Sequence, residues 1–236
     1  MIALALDAAT DLLSAALQTE EGVYYMEIDA GLRHSERLME MTDALFASAR
    51  AAPSALGLVA CMRGPGSFTG LRIGMSAAKG IATSLGIPLL AEPTLDCLWA
   101  SRAAWPGFVL PLIDAKKGRW FTAVYADGKR LTDYLDAEPE EIAASLVGDR
   151  PVLLTGCDAP AGAEALAPFI ASGRLRVDGA HRRGAARELL RSAIDRYGRI
   201  GSGDGDSIGP EYLRKSEAEL TREAASPVPP AGGSNE

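Results

Sequence analysis

The stretch Arg63-Gly-Pro-Gly-Ser-Phe-Thr-Gly-Leu-Arg72 constrains this chain more than any other. It follows an apolar run, Leu56 to Met62, with the length and composition of a buried strand. Gly64, Pro65 and Gly66 then break regular structure. Ser67 or Thr69 supplies a cap for a helix whose apolar side is drawn by Ile73, Met75, Ala78, Ile81 and Leu85. The predicted unit is strand, glycine-rich turn, helix N-terminus. Free backbone N–H groups at such a junction suit an anion, typically a phosphate. Arg63, Gly64, Gly66, Ser67, Thr69 and Gly70 are therefore candidate phosphate-loop residues. The loop fits neither common phosphate motif. A P-loop ends in Gly-Lys-Ser/Thr, where Thr69-Gly70-Leu71 stands here. The dinucleotide fingerprint needs a small residue at Thr69, and Gly70 comes one step late. A tight turn closed by a helix cap, without ligand, accounts for the same residues equally well.

A chain of 236 residues, 47% hydrophobic, can bury a core as one domain or two small ones. A net charge of −7 argues against a stand-alone nucleic-acid binder. Cys61, Cys97 and Cys157 are odd in number, widely spaced and form no C-x-x-C pair, as expected for reduced thiols in the cytosol. No apolar run is long enough to span a membrane, and no basic segment precedes Ile2. A cytoplasmic protein is expected.

Read in order, the chain repeats itself. Residues 2–6 are apolar on both faces, as in a central strand. Strands over 13–19 and 23–28, a helix over 35–50, the strand and loop above, a helix over 69–85, a strand at 89–91 and a helix from 93 to 104 follow. Pro106 and Gly107 mark a boundary. Residues 109–124 then align without gaps on 2–17, pairing Asp7 with Asp114, Ala8 with Ala115 and Ala16 with Ala123. A turn at Asp127-Gly128 falls where Gly22 does. Helices over 140–147, 162–171 and 185–197 and strands at 152–155 and 175–177 complete the second half. The expected fold is α/β: two mixed sheets flanked by helices, in units 1–105 and 106–220. Gly201 to Ser207 reads as a flexible loop, 210–220 as a final helix, and 221–236 as a disordered tail.

The central motif, extended to Ile73-Gly74, resembles the signature of the TsaB (YeaZ) family, bacterial proteins of tRNA threonylcarbamoyladenosine synthesis. Leu6-Asp-Ala-Ala-Thr10, His34-Ser-Glu-Arg-Leu38, Leu112-Ile-Asp-Ala-Lys116 and Pro210-Glu-Tyr-Leu-Arg214 are similar to further segments of that family. The resemblance implies the duplicated ribonuclease-H-like fold of the actin, sugar kinase and heat-shock chaperone superfamily. It implies a non-catalytic subunit paired with TsaD, which transfers threonylcarbamoyl from its adenylate to adenosine beside the tRNA anticodon. TsaE, an ATPase, and TsaC, which makes the adenylate, are the implied pathway partners. tRNA is met only through the complex, a homodimer is the expected state alone, and ATP or ADP is implied at the junction with TsaD.

In that superfamily the loop holding Asp7 and Thr10 approaches nucleotide phosphates, and Asp114 is its second-half counterpart. Two carboxylates at strand ends could hold Mg²⁺ through water; alternatively each caps local N–H groups, the stronger reading for Asp114. The relative TsaD binds metal with His-x-x-x-His on the helix that His34 opens. Here Leu38 replaces the second histidine, so no metal is expected. Ser67 lacks the Gly-x-Ser-x-Gly elbow, and no cysteine neighbours a histidine, so no nucleophile is expected. Small residues Gly70, Gly74, Ala77, Ala78 and Ile81 line one side of the second helix, where glycine costs about 1 kcal/mol against alanine. That face packs on the chain's own sheet or on a partner helix. The resemblance favours the partner, giving an expected interface of His34, Leu38, Met41, Leu45, Gly70, Leu71, Gly74, Ala77, Ala78 and Ile81. Residues 174–199 are locally basic, either a solvated helix face or a contact to RNA within a complex. The rival reading is an independent small-molecule phosphotransferase or ATPase of the same superfamily.

Overall fold

A computed structural model describes residues 1–205 and 207–214. In the first half, β1 (Ile2–Asp7), β2 (Leu12–Gln18), β3 (Val23–Asp29), α1 (His34–Ser48), β4 (Leu56–Gly64), α2 (Phe68–Leu85), β5 (Leu89–Pro93) and α3 (Thr94–Ala100) succeed one another. The second half comprises β6 (Phe108–Pro111), β7 (Ile113–Asp114), β8 (Trp120–Thr122), β9 (Tyr125–Ala126), β10 (Lys129–Arg130), β11 (Leu135–Ala137), α4 (Pro139–Ala144), β12 (Val152–Thr155), α5 (Ala159–Leu166), β13 (Leu175–Val177) and α6 (Ala186–Ile200). The first sheet runs β3-β2-β1-β4-β5 and the second β10-β9-β6-β12-β13. In each, the first pairings are antiparallel and the last two parallel. Identical order and sense in both sheets is the duplication read from the sequence.

Side-chain size along β1 explains the layering. Alternate residues face opposite ways along a strand. Leu4 and Leu6 fill the core under α1 and α2, whereas Ala3 and Ala5 face the other side. There Ala186, Leu189, Leu190 and Ala193 of α6 lie in one core with Val109, Tyr125 and Leu153 of the second sheet. Alanines on the sheet let the helix come close. α6 is thus packed on β1 and β2, although its sequence position falls in the range 106–220 expected to form the second unit. The division at residue 105 is corrected for this helix: its apolar stripe is complementary to the alanine face of the first sheet. Asp96 of α3 joins the halves through the hydroxyls of Tyr125 at 2.6 Å and Tyr134 at 2.9 Å, and Trp99 stacks on Tyr125.

Three expectations need correction. The gapless match of the two first hairpins fails by one residue: Asp7 pairs with Ser14, but Asp114 with Trp120. The turn after Asp114 is one residue shorter, so Ala16 matches Thr122 rather than Ala123. The second copy is also interrupted at Leu112, so β7 and β8 leave the main sheet and pair with β11. The loop expected to be flexible over 201–207 is tied down at Asp204, which accepts the Ala91 N–H at 2.8 Å and pairs with Arg196. Residues 210–214 form no helix; they cross the surface as a strap. Residues 215–220 and the expected disordered tail lie outside the described residues.

Candidate functional site

The two first turns, the glycine loop and the strap converge on a cleft of about 730 Å³ between the halves. Thr10, Gly66, Ser67 and Thr69 line it from the first half, and Asp114, Lys116 and Asp158 from the second. The loops singled out in the sequence thus meet at one cleft. The roles of individual residues differ from those expected.

Asp7 does not reach the cleft. It is buried, and its carboxylate accepts from Ala9 N at 3.1 Å, Ser14 Oγ at 3.2 Å and Ala185 N at 2.8 Å. Ser14 Oγ in turn accepts from Ala186 N. Asp7 and Ser14 thus hold the first N–H groups of α6, where a negative charge meets the positive end of the helix dipole. Burial pushes the Asp7 carboxyl above its ordinary value, against the three hydrogen bonds and the nearby His34 that pull it down. Asp114 caps its own turn, accepting from Lys116 N at 2.7 Å and Lys116 Nζ at 2.9 Å, and stays half-exposed at the cleft. Asp158, which no sequence pattern singled out, accepts from Asp114 N at 2.9 Å. Burial is the main cause that lifts its carboxyl above the ordinary range.

The glycines answer to the chain's own backbone. A Cβ on Gly66 would lie 2.5 Å from the Ala9 carbonyl oxygen, and one on Gly70 would lie 2.0 Å from that of Ala8. Ser67 N donates to Ala9 O at 2.7 Å, and Ser67 Oγ caps Gly70 N. Ser67, not Thr69, is the cap. The first turn of α2 leaves Phe68 and Thr69 N–H groups without helical acceptors at the cleft wall. Gly64 has φ +126°, and a Cβ there would meet the Glu211 carbonyl at 2.4 Å.

Arg63 is committed to the strap. Its Nε donates to Glu211 Oε2 at 2.8 Å, and Arg63 O accepts from Glu211 N. Tyr212 packs on Phe68 and accepts from Arg72 Nε at 2.9 Å. Arg214 grips Asp136 with two hydrogen bonds of 2.7 Å and donates to Ala115 O. The strap is thereby fastened to both halves across the cleft. Burial lifts the Asp136 carboxyl, but the guanidinium groups of Arg214 and Arg119 together hold it below its ordinary value.

His34 is buried and lies 2.8 Å from Thr10 O, so Nε2 carries a proton and donates to that carbonyl. The ring pins α1 to the first turn. Leu38, Met41, Leu45, Leu71 and Ala78 are buried in the chain's own core, and Gly70 and Gly74 are buried within α2's inner face. An added Cβ on Gly74 would touch only Ala8 Cβ, at 3.5 Å. The expected partner interface is corrected for all of these residues, because a buried face has no surface to offer. Only Ala77 and Ile81 of that set are partly exposed. The outer α1–α2 groove is lined instead by Met39, Asp43, Phe46, Gly80, Ile81, Ser84 and Leu85. Gly80 is exposed in mid-helix, and a Cβ there would meet nothing within 4 Å. Nothing among the described residues requires that glycine.

The fold and its site define a duplicated α/β protein, two sheets of like strand order with paired loops facing one cleft. The family model described as TsaD: tRNA N6-adenosine threonylcarbamoyltransferase matches residues 28–148. The TsaB biosynthesis protein of Bacillus subtilis is 29% identical over 93% of this chain and 96% of its own length. The Escherichia coli TsaB is 32% identical over 52% of this chain and 54% of its own. The solved structure of YeaZ from Pseudomonas aeruginosa superposes with a TM-score of 0.74 at 26% identity, covering 90% of this chain and 99% of that one. The chain belongs to the TsaD family, and over most of its length it is similar to TsaB/YeaZ proteins.

Proposed function

We propose that this protein serves tRNA threonylcarbamoyladenosine formation as a non-catalytic subunit, pairing with a TsaD-type subunit through the outer α1–α2 groove. The observation that carries the reading is the occupation of the would-be catalytic groups by internal contacts. Asp7 holds α6, Arg63 holds the strap, His34 holds Thr10, and Gly66 and Gly70 admit the backbone of residues 8 and 9. Burial lifts the thiol of Cys157, which interacts with Thr10, to about 11, so it is not a nucleophile near neutrality. The groove supports pairing by a different logic. Met39, Ile81 and Leu85 give it apolar surface, and Gly80 lets a second backbone approach.

In this reading the TsaD-type partner holds the metal and the chemistry, while TsaE and TsaC supply ATP hydrolysis and the adenylate. tRNA is bound by the complex. ATP or ADP belongs at the junction with the partner, and the same groove accounts for a homodimer when the chain is alone. No helix among the described residues is long and apolar enough to cross a membrane. The rival, an independent phosphotransferase, needs a carboxylate base free in the cleft. Asp158 accepts from Asp114 N, Asp114 is held by Lys116 and Glu211 by Arg63, whereas Asp11 also lines the cleft, so the activity of the chain alone separates the two readings.

The test supplies threonylcarbamoyl adenylate and unmodified tRNA to this chain alone, to a TsaD-type subunit alone, and to the two together with the TsaE ATPase. Modification only when both subunits are present is the expected result. Turnover by this chain alone, surviving further purification, would contradict the reading.

A further inference from the structure

The arginines around the start of α6 behave differently from those at the joints of the fold. Arg63, Arg102, Arg119, Arg196 and Arg214 are each matched by a carboxylate. Arg182, Arg183, Arg187 and Arg191 are all exposed on one side of the molecule. Of these, Arg182 pairs with Asp29 and Arg187 lies over the Tyr25 ring at 4.6 Å. Neither Arg183, Arg187 nor Arg191 forms an ion pair with a carboxylate among the described residues.

Two surface depressions meet at Arg187. One is lined by Arg102, His181 and Arg183, the other by Gln18, Val23 and Arg191. Together they make one furrow along the outer edge of α6. Arg187 and Arg191 stand one turn apart, about 6 Å along the axis. The acids facing the furrow are Glu188 and Asp195 on α6 and Glu27 and Asp29 on β3. Glu27 is engaged by Tyr25 Oη and Gly184 N, and Asp29 by Arg182. The segment 174–199 holds eight arginines against three acids in a chain whose net charge is −7. Of these eight, Arg183, Arg187 and Arg191 line the furrow.

We propose that this arginine furrow is a docking strip for the phosphate backbone of RNA. The proposal rests on the tRNA-modification reading above and names the surface by which this subunit contributes to it. Two features favour RNA over an acidic protein. The cations are arginines without a lysine among them, and the planar guanidinium fork matches phosphate in two-point contacts. Among the lining residues Val23 alone is an exposed large apolar side chain, whereas a protein interface requires an apolar centre. Such a strip adds sequence-independent affinity and fixes the position of the RNA.

The experiment measures binding of an unmodified tRNA transcript across a salt series, with the free chain and with its mixture with a TsaD-type subunit. Wild type is compared with the triple variant Arg183→Ala, Arg187→Ala, Arg191→Ala and with the triple lysine variant. The alanine variant is expected to bind tRNA about 10- to 100-fold more weakly near 0.1 M salt, with the slope of log affinity against log salt reduced by about 2. The lysine variant should keep most of the slope, because it keeps the charge. Affinity for the TsaD-type subunit should be unchanged in both. An alanine variant with unchanged tRNA affinity and slope, or one that loses the protein partner while retaining the slope, overturns the proposal. Failure of the wild-type chain to bind the TsaD-type subunit would instead count against the pairing reading. The strip is then judged on the salt slope of the free chain.

Discussion

The turn after Asp7 and the turn after Asp114 are copies of one element with opposite fates. The first is buried: its carboxylate takes three donors and anchors α6, the helix that returns from the second half. The second is one residue shorter, open to the cleft, and caps only itself. Duplication preserved the strand end and its aspartate, while the surroundings decided the chemistry. A carboxylate at a strand end remains a local turn cap where it faces water and becomes a structural pin where a helix end covers it.

The largest expected effect tests this contrast. Asp7→Ala leaves buried N–H groups without an acceptor, which costs about 3 kcal/mol. For a domain of this size that lowers Tm by roughly 6–12 °C. Asp114→Ala removes only exposed contacts, worth under about 1 kcal/mol. Equal shifts in thermal melts of the two variants would show that the turns are not differently used.

The glycines provide the next comparison. Gly70→Ala drives a methyl into the Ala8 carbonyl, and overpacking of that kind costs about 1–3 kcal/mol. Gly74→Ala meets only ordinary contact with Ala8 and gains up to about 1 kcal/mol of helix propensity. Denaturant midpoints should move in opposite directions. A tolerated Gly70→Ala would remove the packing explanation of the loop.

A smaller effect separates the two halves by pH. Burial holds the Asp7 carboxyl above the ordinary 3.8, so its ionisation lowers stability as pH rises from 3.8 through its folded value. For Asp136, burial is outweighed by Arg214 and Arg119, and the carboxyl lies below 3.8. Its contribution is complete above 3.8 and is lost as pH falls through the folded value. Asp136→Asn should therefore flatten the loss of Tm as pH falls below 3.8. An acid limb identical to wild type would show that the strap contact carries no linkage.

The duplication was legible because strand order and turn residues repeat, and period-2 and helical patterns survive without knowledge of packing. Strand pairs 152–155 and 175–177 fall where the sequence places them. Residue roles were less legible, for a physical reason. Leu38, Leu71 and Gly74 carry the same composition whether a helix face meets its own sheet or another chain. Which it meets depends on where the sheet lies. Gly80 offered the better signal, an exposed mid-helix glycine with no internal demand, but exposure is visible only in the fold. Asp158 and the strap residues Glu211 and Tyr212 enter the cleft from remote sequence, joined to it by tertiary contacts of high separation.

The outer groove, rather than the cleft, is the working surface in this reading, and Gly80→Arg tests that directly. The new side chain would stand in open space in the free protein, where loss of a helical glycine is neutral or favourable by up to about 1 kcal/mol. Across a tight helix contact it costs about 1–3 kcal/mol, a roughly 5- to 150-fold loss of affinity. The measurement is a calorimetric titration of wild type and Gly80→Arg with a TsaD-type subunit, alongside the Tm of each free protein. Weakened binding with Tm unchanged or raised is the expected result; full affinity in a folded Gly80→Arg protein would contradict pairing through the α1–α2 groove.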